Sequence, residues 1–413
     1  MSRQIPEFDA KVDTFNSEFN SLLADVTRFV RDEAIPRENE IEQADQVPAD
    51  LVERMRELGY FGWSIPRDFG GAGLSTEQLV RGAFALSQAS VAFRARVGTN
   101  TGIGSEALVA DGTDDQKRRY LPLLASGVMT GAFALTEPDA GSDATALQTT
   151  ARRDGDHYVL DGAKCFITNA PIADLFTVMA RTNPSVPGAG GISAFLVERG
   201  TPGLSTSEPY QKMGQAGSPV GDVHFKACRV PAANLIGGME GQGFRTTMKV
   251  LNKQRIHLAA LCTGPAIRML DEAVAYTSTR EQFGRPVSDF QLVQALIAEC
   301  QTEIYAARSM ILDTARKRDA GEDVALEASM CKMFASEMCG RVADRAVQML
   351  GGRGYLAGNA VERFYRDVRA FRIYEGTTQI HQLNIAKITL RRAAEAKEAQ
   401  AKDSVGTTAV RAA

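Results

Sequence analysis

The chain has 413 residues, with 47 Lys plus Arg against 50 Asp plus Glu and a formal net charge of −3. At roughly 150 residues per domain, that length allows two or three domains or one large architecture. The near-neutral balance argues against a nucleic-acid binder, which carries a basic excess, and against a polybasic membrane-surface protein.

The opening segment MSRQIPEFDAKVDTF is mixed in charge and has no apolar run, so it reads as neither a signal nor a transit peptide. Helical patterning follows over residues 16–34, 49–58, 75–89, 92–110 and 113–126. Pro48 before Ala49, and Thr113 before Asp114-Asp115, are helix-start signals. Gly70-Gly71-Ala72-Gly73 reads as a loop. The longest uncharged run, residues 120–136, is broken by Pro122, Gly127 and Gly131, so no membrane span is expected.

The character changes over roughly 129–235. Asp154-Gly155 and Asp161-Gly162 separate short β-prone runs at 148–153, 157–160 and 164–168, which are hairpin signals. Further strands are expected at 175–181, 192–197 and 220–227. Gly237-Gly238, Gly241 and Gly243 then read as a flexible connector.

No proline follows Pro286, which leaves 127 residues free of the strongest helix breaker. Helices are expected over 241–280, with Gly264-Pro265 as a kink point, and over 324–350 and 377 to about 398. Between them, Leu292, Val293, Leu296, Ile297, Ile304 and Ile311 recur as one helix face. Four long helices with short connections suggest an antiparallel bundle. The tail after about residue 393 reads as fraying helix, then disorder.

The expected domains are therefore an N-terminal helical domain (1–128), a middle β domain (129–238), a C-terminal helical bundle (239–395) and a disordered tail (396–413). The class is mainly α with a central β domain, and segregated blocks exclude a doubly wound α/β fold. Six cysteines without a CxxC pair read as reduced thiols in a cytoplasmic protein. Four dispersed histidines give no metal site and no triad.

Three segments carry more specific chemistry. Residues 133–143 (FALTEPDAGSD) run a strand into a turn rich in hydroxyls and small residues, able to present N–H and O–H donors. Residues 348–355 (QMLGGRGY) end a helix in glycines that permit close backbone approach. Residues 372–380 (RIYEGTTQI) set a carboxylate just before a helix start, where free N–H groups favour anions. Singly, these are also a β-turn, a C-cap and an N-cap.

Together, in this order and spacing, they resemble the acyl-CoA dehydrogenase family of flavoenzymes, and the resemblance extends from about Phe15 to Arg392. It is nearest the medium- and short-chain members. The resemblance implies an N-terminal helical domain, a small β-barrel or sandwich and a C-terminal four-helix bundle. It implies FAD held by Phe133, Leu135, Thr136, Gly141 and Ser142, and by Phe166, Ile167 and Thr168. Many members carry Trp where Phe166 stands.

Arg280, Gln282 and Phe283, with Phe290 and Gln291, match the segment that contacts the cofactor pyrophosphate. Gln348, Met349, Gly351 and Gly352 would reach the adenosine half from a neighbouring subunit, and Thr377 and Gln379 would contact FAD at the helix start. A shared site implies an obligate dimer, and the family is usually a homotetramer, a dimer of dimers.

Glu375 matches the catalytic base, which removes the α-proton while hydride leaves the β-carbon for flavin N5. Desolvation would raise its basicity. In the family its backbone N–H and a ribityl hydroxyl stabilise the enolate. Gln254 stands where other members carry the base on a different helix, and glutamine cannot act there.

Arg255, Ser142, Tyr374 and Gly376 are the expected acyl-CoA contacts. Phe93-Arg94 falls where glutaryl-CoA dehydrogenases carry Tyr-Arg, so Arg94 is the candidate for an anionic acyl end. A surface or ion-paired arginine is the alternative. The implied acceptor is electron-transfer flavoprotein. An oxidase or flavin monooxygenase of the same fold, and a non-catalytic DNA-binding relative, are the competing functions.

Overall fold

The structure is a computed structural model that describes residues 17–410, with side chains through residue 398. The leader reading of residues 1–15, the helix start at Asn16 and the last three residues lie outside the described part.

The first block is helical: α1 (Ser17–Phe29), α2 (Glu38–Ala44), α3 (Ala49–Glu57), α4 (Thr76–Leu86), α5 (Val91–Gly98), α6 (Glu106–Asp111) and α7 (Asp114–Ala125). A π-helical turn, Val30–Ala34, prolongs α1. Thr113 caps α7 through a capping box, its hydroxyl accepting from Gln116 N while Gln116 Oε1 accepts from Thr113 N.

The single helix expected over 92–110 is instead two, α5 and α6, separated by turns at Thr99–Ser105. The reason is the glycines: a Cβ on Gly102 would lie 2.5 Å from Gln254 Oε1, and one on Gly104 2.7 Å from the Thr99 carbonyl. Backbone approach to neighbouring elements here outweighs helical periodicity.

The middle block is one seven-stranded sheet: β1 (Gly131–Ala134), β2 (Thr150–Asp154), β3 (His157–Thr168), β4 (Leu175–Arg181), β5 (Ile192–Glu198), β6 (Leu204–Thr206) and β7 (Val220–Pro231). Its order is β1-β4-β2-β3-β7-β6, with β5 antiparallel to β4. Asp154-Gly155 does make a tight hairpin, with Asp154 opposite His157. Asp161-Gly162 does not. There β3 continues through a bulge, Gly162 sitting at φ +147° against Thr149.

A second bulge falls between Lys164 and Ile167 and puts Phe166 at φ +58° with its ring exposed. The glycines after β7 are not a loose connector. A Cβ on Gly243 would lie 2.4 Å from the Ser193 backbone, so they let the last block seat on β5.

The last block holds α8 (Gly243–Thr279), the short hairpin β8 (Glu281–Gln282) and β9 (Arg285–Pro286), then α9 (Gln291–Asp319), α10 (Ala325–Leu350), α11 (Ala360–Asp367) and α12 (Thr378–Val410). Pro265 lies within α8. α10 packs on α8, α9 and α12, and α4 of the first block packs on α8 and α9. Ile304 and Ile311 are buried in this core and Val293, Leu296 and Ile297 border it, but Leu292 is exposed. α12 remains helical past residue 396, where the composition suggests disorder; an Ala/Lys/Glu-rich segment has high helix propensity. Among the described residues no helix is long and apolar enough to cross a membrane.

Candidate active site

A cavity of about 810 Å³ opens where the three blocks meet. Its walls come from α5, the β1–β2 loop, the β3 bulge, the loop before β7, one face of α8, and the segment between α11 and α12.

Most residues singled out in the sequence converge there. Phe133, Leu135, Thr136, Gly141 and Ser142 line one wall, and Phe166, Ile167 and Thr168 the next. Arg94, Arg255, Tyr374, Glu375 and Gly376 line the inner end. Gln254 is there too, as an amide.

A second set does not reach this cavity within the chain: Arg280, Gln282, Phe283, Phe290, Gln291, Gln348, Met349, Gly351, Gly352, Thr377 and Gln379. The first five sit on the β8–β9 hairpin and the start of α9, and the next four at the end of α10. These regions adjoin, since the Arg353 guanidinium lies 5.9 Å from the Tyr276 ring centre. Thr377 serves as a helix cap, its hydroxyl accepting from Ile380 N at 3.3 Å.

Two further elements escape the motif reading. On α8, Phe244, Thr247, Met248, Leu251 and Leu258 form one wall around the expected Arg255. Their spacing of three and four is the signal that would have found them. Met213, Gly214 and Gln215, in the loop before β7, close another side. Gln215 is tied to α11: its N–H donates to the Asp367 carboxylate, and Nε2 donates to the Asp367 carbonyl at 3.0 Å.

The β1–β2 loop is held from beneath by a buried ion pair. Lys164 Nζ lies 2.7 Å from Glu137 Oε1 and donates to the Leu135 carbonyl at 3.1 Å. Both side chains are almost wholly buried. Glu137 also accepts from the N–H groups of Gln148 and Thr149, which draws the far end of the loop back to β2. Burial pulls the Lys164 ammonium down to about 8. Burial pushes the Glu137 carboxyl up, but the charge and hydrogen bond of Lys164, with the hydrogen bonds from Thr149 and Gln148, together hold it below the usual carboxylate range, so the pair remains ionised at neutral pH.

At the inner end, Glu375 has φ +55°, an uncommon backbone conformation for a residue with a Cβ. Its Oε2 is buried without a hydrogen-bond partner. Burial pushes the carboxyl up to about 7, against the opposing pull of Arg94, Lys332 and Arg255. Glu375 lines the cavity.

Arg94 faces inward. Its Nη2 donates to the Tyr374 hydroxyl, its guanidinium lies 5.5 Å from the Tyr374 ring centre, and its Nε has no partner. Among the described residues no carboxylate lies within ion-pair distance of it, so the alternatives of a surface or ion-paired arginine do not hold. Arg255 is buried, bonds Asn252 Oδ1 at 3.0 Å and leaves its Nε free. A buried base beside two incompletely satisfied guanidinium groups can take a proton from a bound anion-bearing ligand.

Comparison with known proteins shows the family of the chain. The acyl-CoA dehydrogenase N-terminal, middle and C-terminal domain families match residues 16–128, 132–228 and 241–390. The chain is 40% identical to a 3-(aryl)acrylate reductase of Clostridium sporogenes over 91% of this chain and all of that protein. It is 40% identical to an acyl-CoA dehydrogenase of Bacillus subtilis, over 88% of this chain and 96% of that one. Among solved structures, a glutaryl-coenzyme A dehydrogenase in complex with glutaryl-CoA superposes with a TM-score of 0.85 at 33% identity, covering 91% of this chain and 96% of that chain. The chain therefore belongs to the acyl-CoA dehydrogenase family, oxidoreductases that act on the CH–CH group of acyl-CoA thioesters.

Proposed function

We propose that the protein is an FAD-dependent acyl-CoA dehydrogenase that forms a trans-2-enoyl-CoA, with Glu375 as the α-proton base. The observation that carries this is the Glu375 carboxyl: it lines the cavity, its Oε2 is buried and unpartnered, and burial raises it to about 7.

The residues present fit the flavin the family uses. Phe166 keeps an exposed aromatic ring at a strained bulge beside the cavity, and the Gly141-Ser142-Asp143 turn is exposed beside it. The Lys164–Glu137 pair fixes the loop that carries Leu135 and Thr136. Bound FAD supplies the hydride acceptor. Glu375 takes the α-proton, and a carboxylate whose affinity for protons matches neutral pH is suited to that transfer. Tyr374 and Arg255 line the same cavity.

Arg94 deepens the reading: an inward guanidinium without a carboxylate partner favours an acyl group with a distal anion, such as a dicarboxylic mono-CoA thioester. Phe283, Leu292, Tyr355 and Leu356 are exposed apolar side chains around the second residue set. Their exposure supports a homotetramer in which Gln348–Gly352 completes the cofactor site of another copy, with Arg280 on the phosphates. The proposed acceptor is electron-transfer flavoprotein; peroxide formation in air would instead favour the oxidase reading.

The test is the pH dependence of anaerobic flavin reduction by acyl-CoA. The rate should rise with pH through about 7 as Glu375 ionises. A rate independent of pH between 5.5 and 8.5 would overturn the assignment.

A further inference from the structure

Glu375 and Gly376 form two successive left-handed residues, φ +55° and φ +94°. The turn aims the Glu375 side chain into the cavity while its carbonyls meet α10 and α12. Lys332, on α10, is fully buried, and its ammonium donates to the Gly376 carbonyl at 2.6 Å. No carboxylate among the described residues lies within ion-pair distance of it. Burying an ammonium on a lone carbonyl is costly, and burial lowers its proton affinity.

His381, on α12, is also fully buried, with Nε2 3.2 Å from the Glu375 carbonyl. Burial holds its proton affinity down to about 3, so the ring is neutral, and donation to that carbonyl requires the proton on Nε2. A Cβ on Gly376 would lie 3.0 Å from this nitrogen. Five residues along α10 from Lys332, Glu337 accepts from the Thr378 hydroxyl at 2.6 Å and from Arg372 at 3.2 Å. Three side chains thus grip the segment on either side of Glu375.

We propose that Lys332 and His381 are positioning residues: they hold the Glu375-Gly376 carbonyls outward so that the carboxylate points inward, with the Lys332 ammonium seated on the back of the turn that carries it. This rests on the reading of Glu375 as the base. The groups that face Glu375 are Arg94 on α5, Arg255 on α8, Lys332 on α10 and His381 on α12, with Tyr374 adjacent in sequence. Cys262 on α8 and Glu337 on α10 face Lys332.

The experiment titrates the Glu375 carboxyl of the holoenzyme by carbon-13 NMR, its resonance assigned by its loss in Glu375→Gln. Lys332→Met should raise the midpoint by roughly one pH unit, and Lys332→Arg should restore most of that shift. His381→Phe removes a neutral donor. It should leave the midpoint in place and slow flavin reduction by roughly tenfold or more, because the base is no longer aimed. A Lys332→Met carboxyl that titrates as in the wild type overturns the seating of the ammonium. Should Lys332→Met yield no folded holoenzyme, wild-type flavin reduction by His381→Phe overturns the positioning. Undiminished flavin reduction by Glu375→Gln would instead remove the base assignment, whatever Lys332 and His381 do.

Discussion

Replacing Arg94 by glutamine tests what the inner end of the cavity is built to hold. Phe93 and Ala95 are buried in the first block, so α5 is pinned and the Arg94 side chain has little choice of direction. Its Nη2 donates to the Tyr374 hydroxyl, and Nε remains free. A ligand carboxylate meeting this guanidinium would gain a charge-assisted interaction worth about 1.5 to 3 kcal/mol. Losing it lowers kcat/KM by a factor of about 10 to 150.

A neutral acyl group has no such contact to lose. Arg94 also restrains the rise in proton affinity of Glu375, so its removal moves the acid limb upward for every substrate. The comparison therefore belongs on the high-pH plateau. There, Arg94→Gln should lower kcat/KM for glutaryl-CoA by at least about tenfold relative to butyryl-CoA. Equal losses on both substrates, or no loss on either, would refute an anion-binding role.

Two stability predictions follow from buried charges. Lys164→Met should destabilise the protein by about 3 to 5 kcal/mol, because it strands the Glu137 carboxylate on two amide donors. Urea denaturation measures this, adding Glu137→Gln should recover part of the loss, and a change below about 1 kcal/mol would contradict the ion pair's role. Glu375→Gln should act in the opposite direction. The folded carboxyl lies at about 7, above its ordinary 4.5, so ionisation costs folded-state stability increasingly from about 4.5 to 7 and constantly above. At pH 8 the variant should therefore be more stable by about 1 to 3 kcal/mol, a gain that vanishes below pH 4.5. A midpoint unchanged at pH 8 would show that Glu375 is not desolvated.

The block order and the three motifs were legible because each depends on local signals: proline distribution, glycine stops and short-range periodicity. The same locality explains the errors. Asp161-Gly162 has hairpin chemistry, yet β3 runs through it because β7 pairs with both halves of the strand. The 92–110 pattern is helical throughout, yet Gly102 and Gly104 are set by neighbours as distant in sequence as Gln254.

In the site, Glu375 and the β1–β2 loop stand inside recognisable motifs. Lys332 and His381 sit in helical sequence that reads as core or surface, and only tertiary packing brings them to the two carbonyls. Arg94 was nameable but not orientable, since Arg94 and Arg96 point to different sides of α5 and the sequence does not say which side holds the cavity. Arg96 turns instead to Thr130, donating to its hydroxyl at 2.9 Å.

The central claim is that Glu375 removes the α-proton of a bound acyl-CoA. Mixing oxidised holoenzyme anaerobically with straight, branched, aromatic and dicarboxylic acyl-CoAs, for wild type and Glu375→Gln in parallel, tests it most directly. The wild type should bleach its flavin band with at least one of them. Glu375→Gln should bind that thioester, seen as a perturbed flavin spectrum, and reduce slower by a factor of about 10² to 10⁴. Bleaching of Glu375→Gln at the wild-type rate would contradict the assignment.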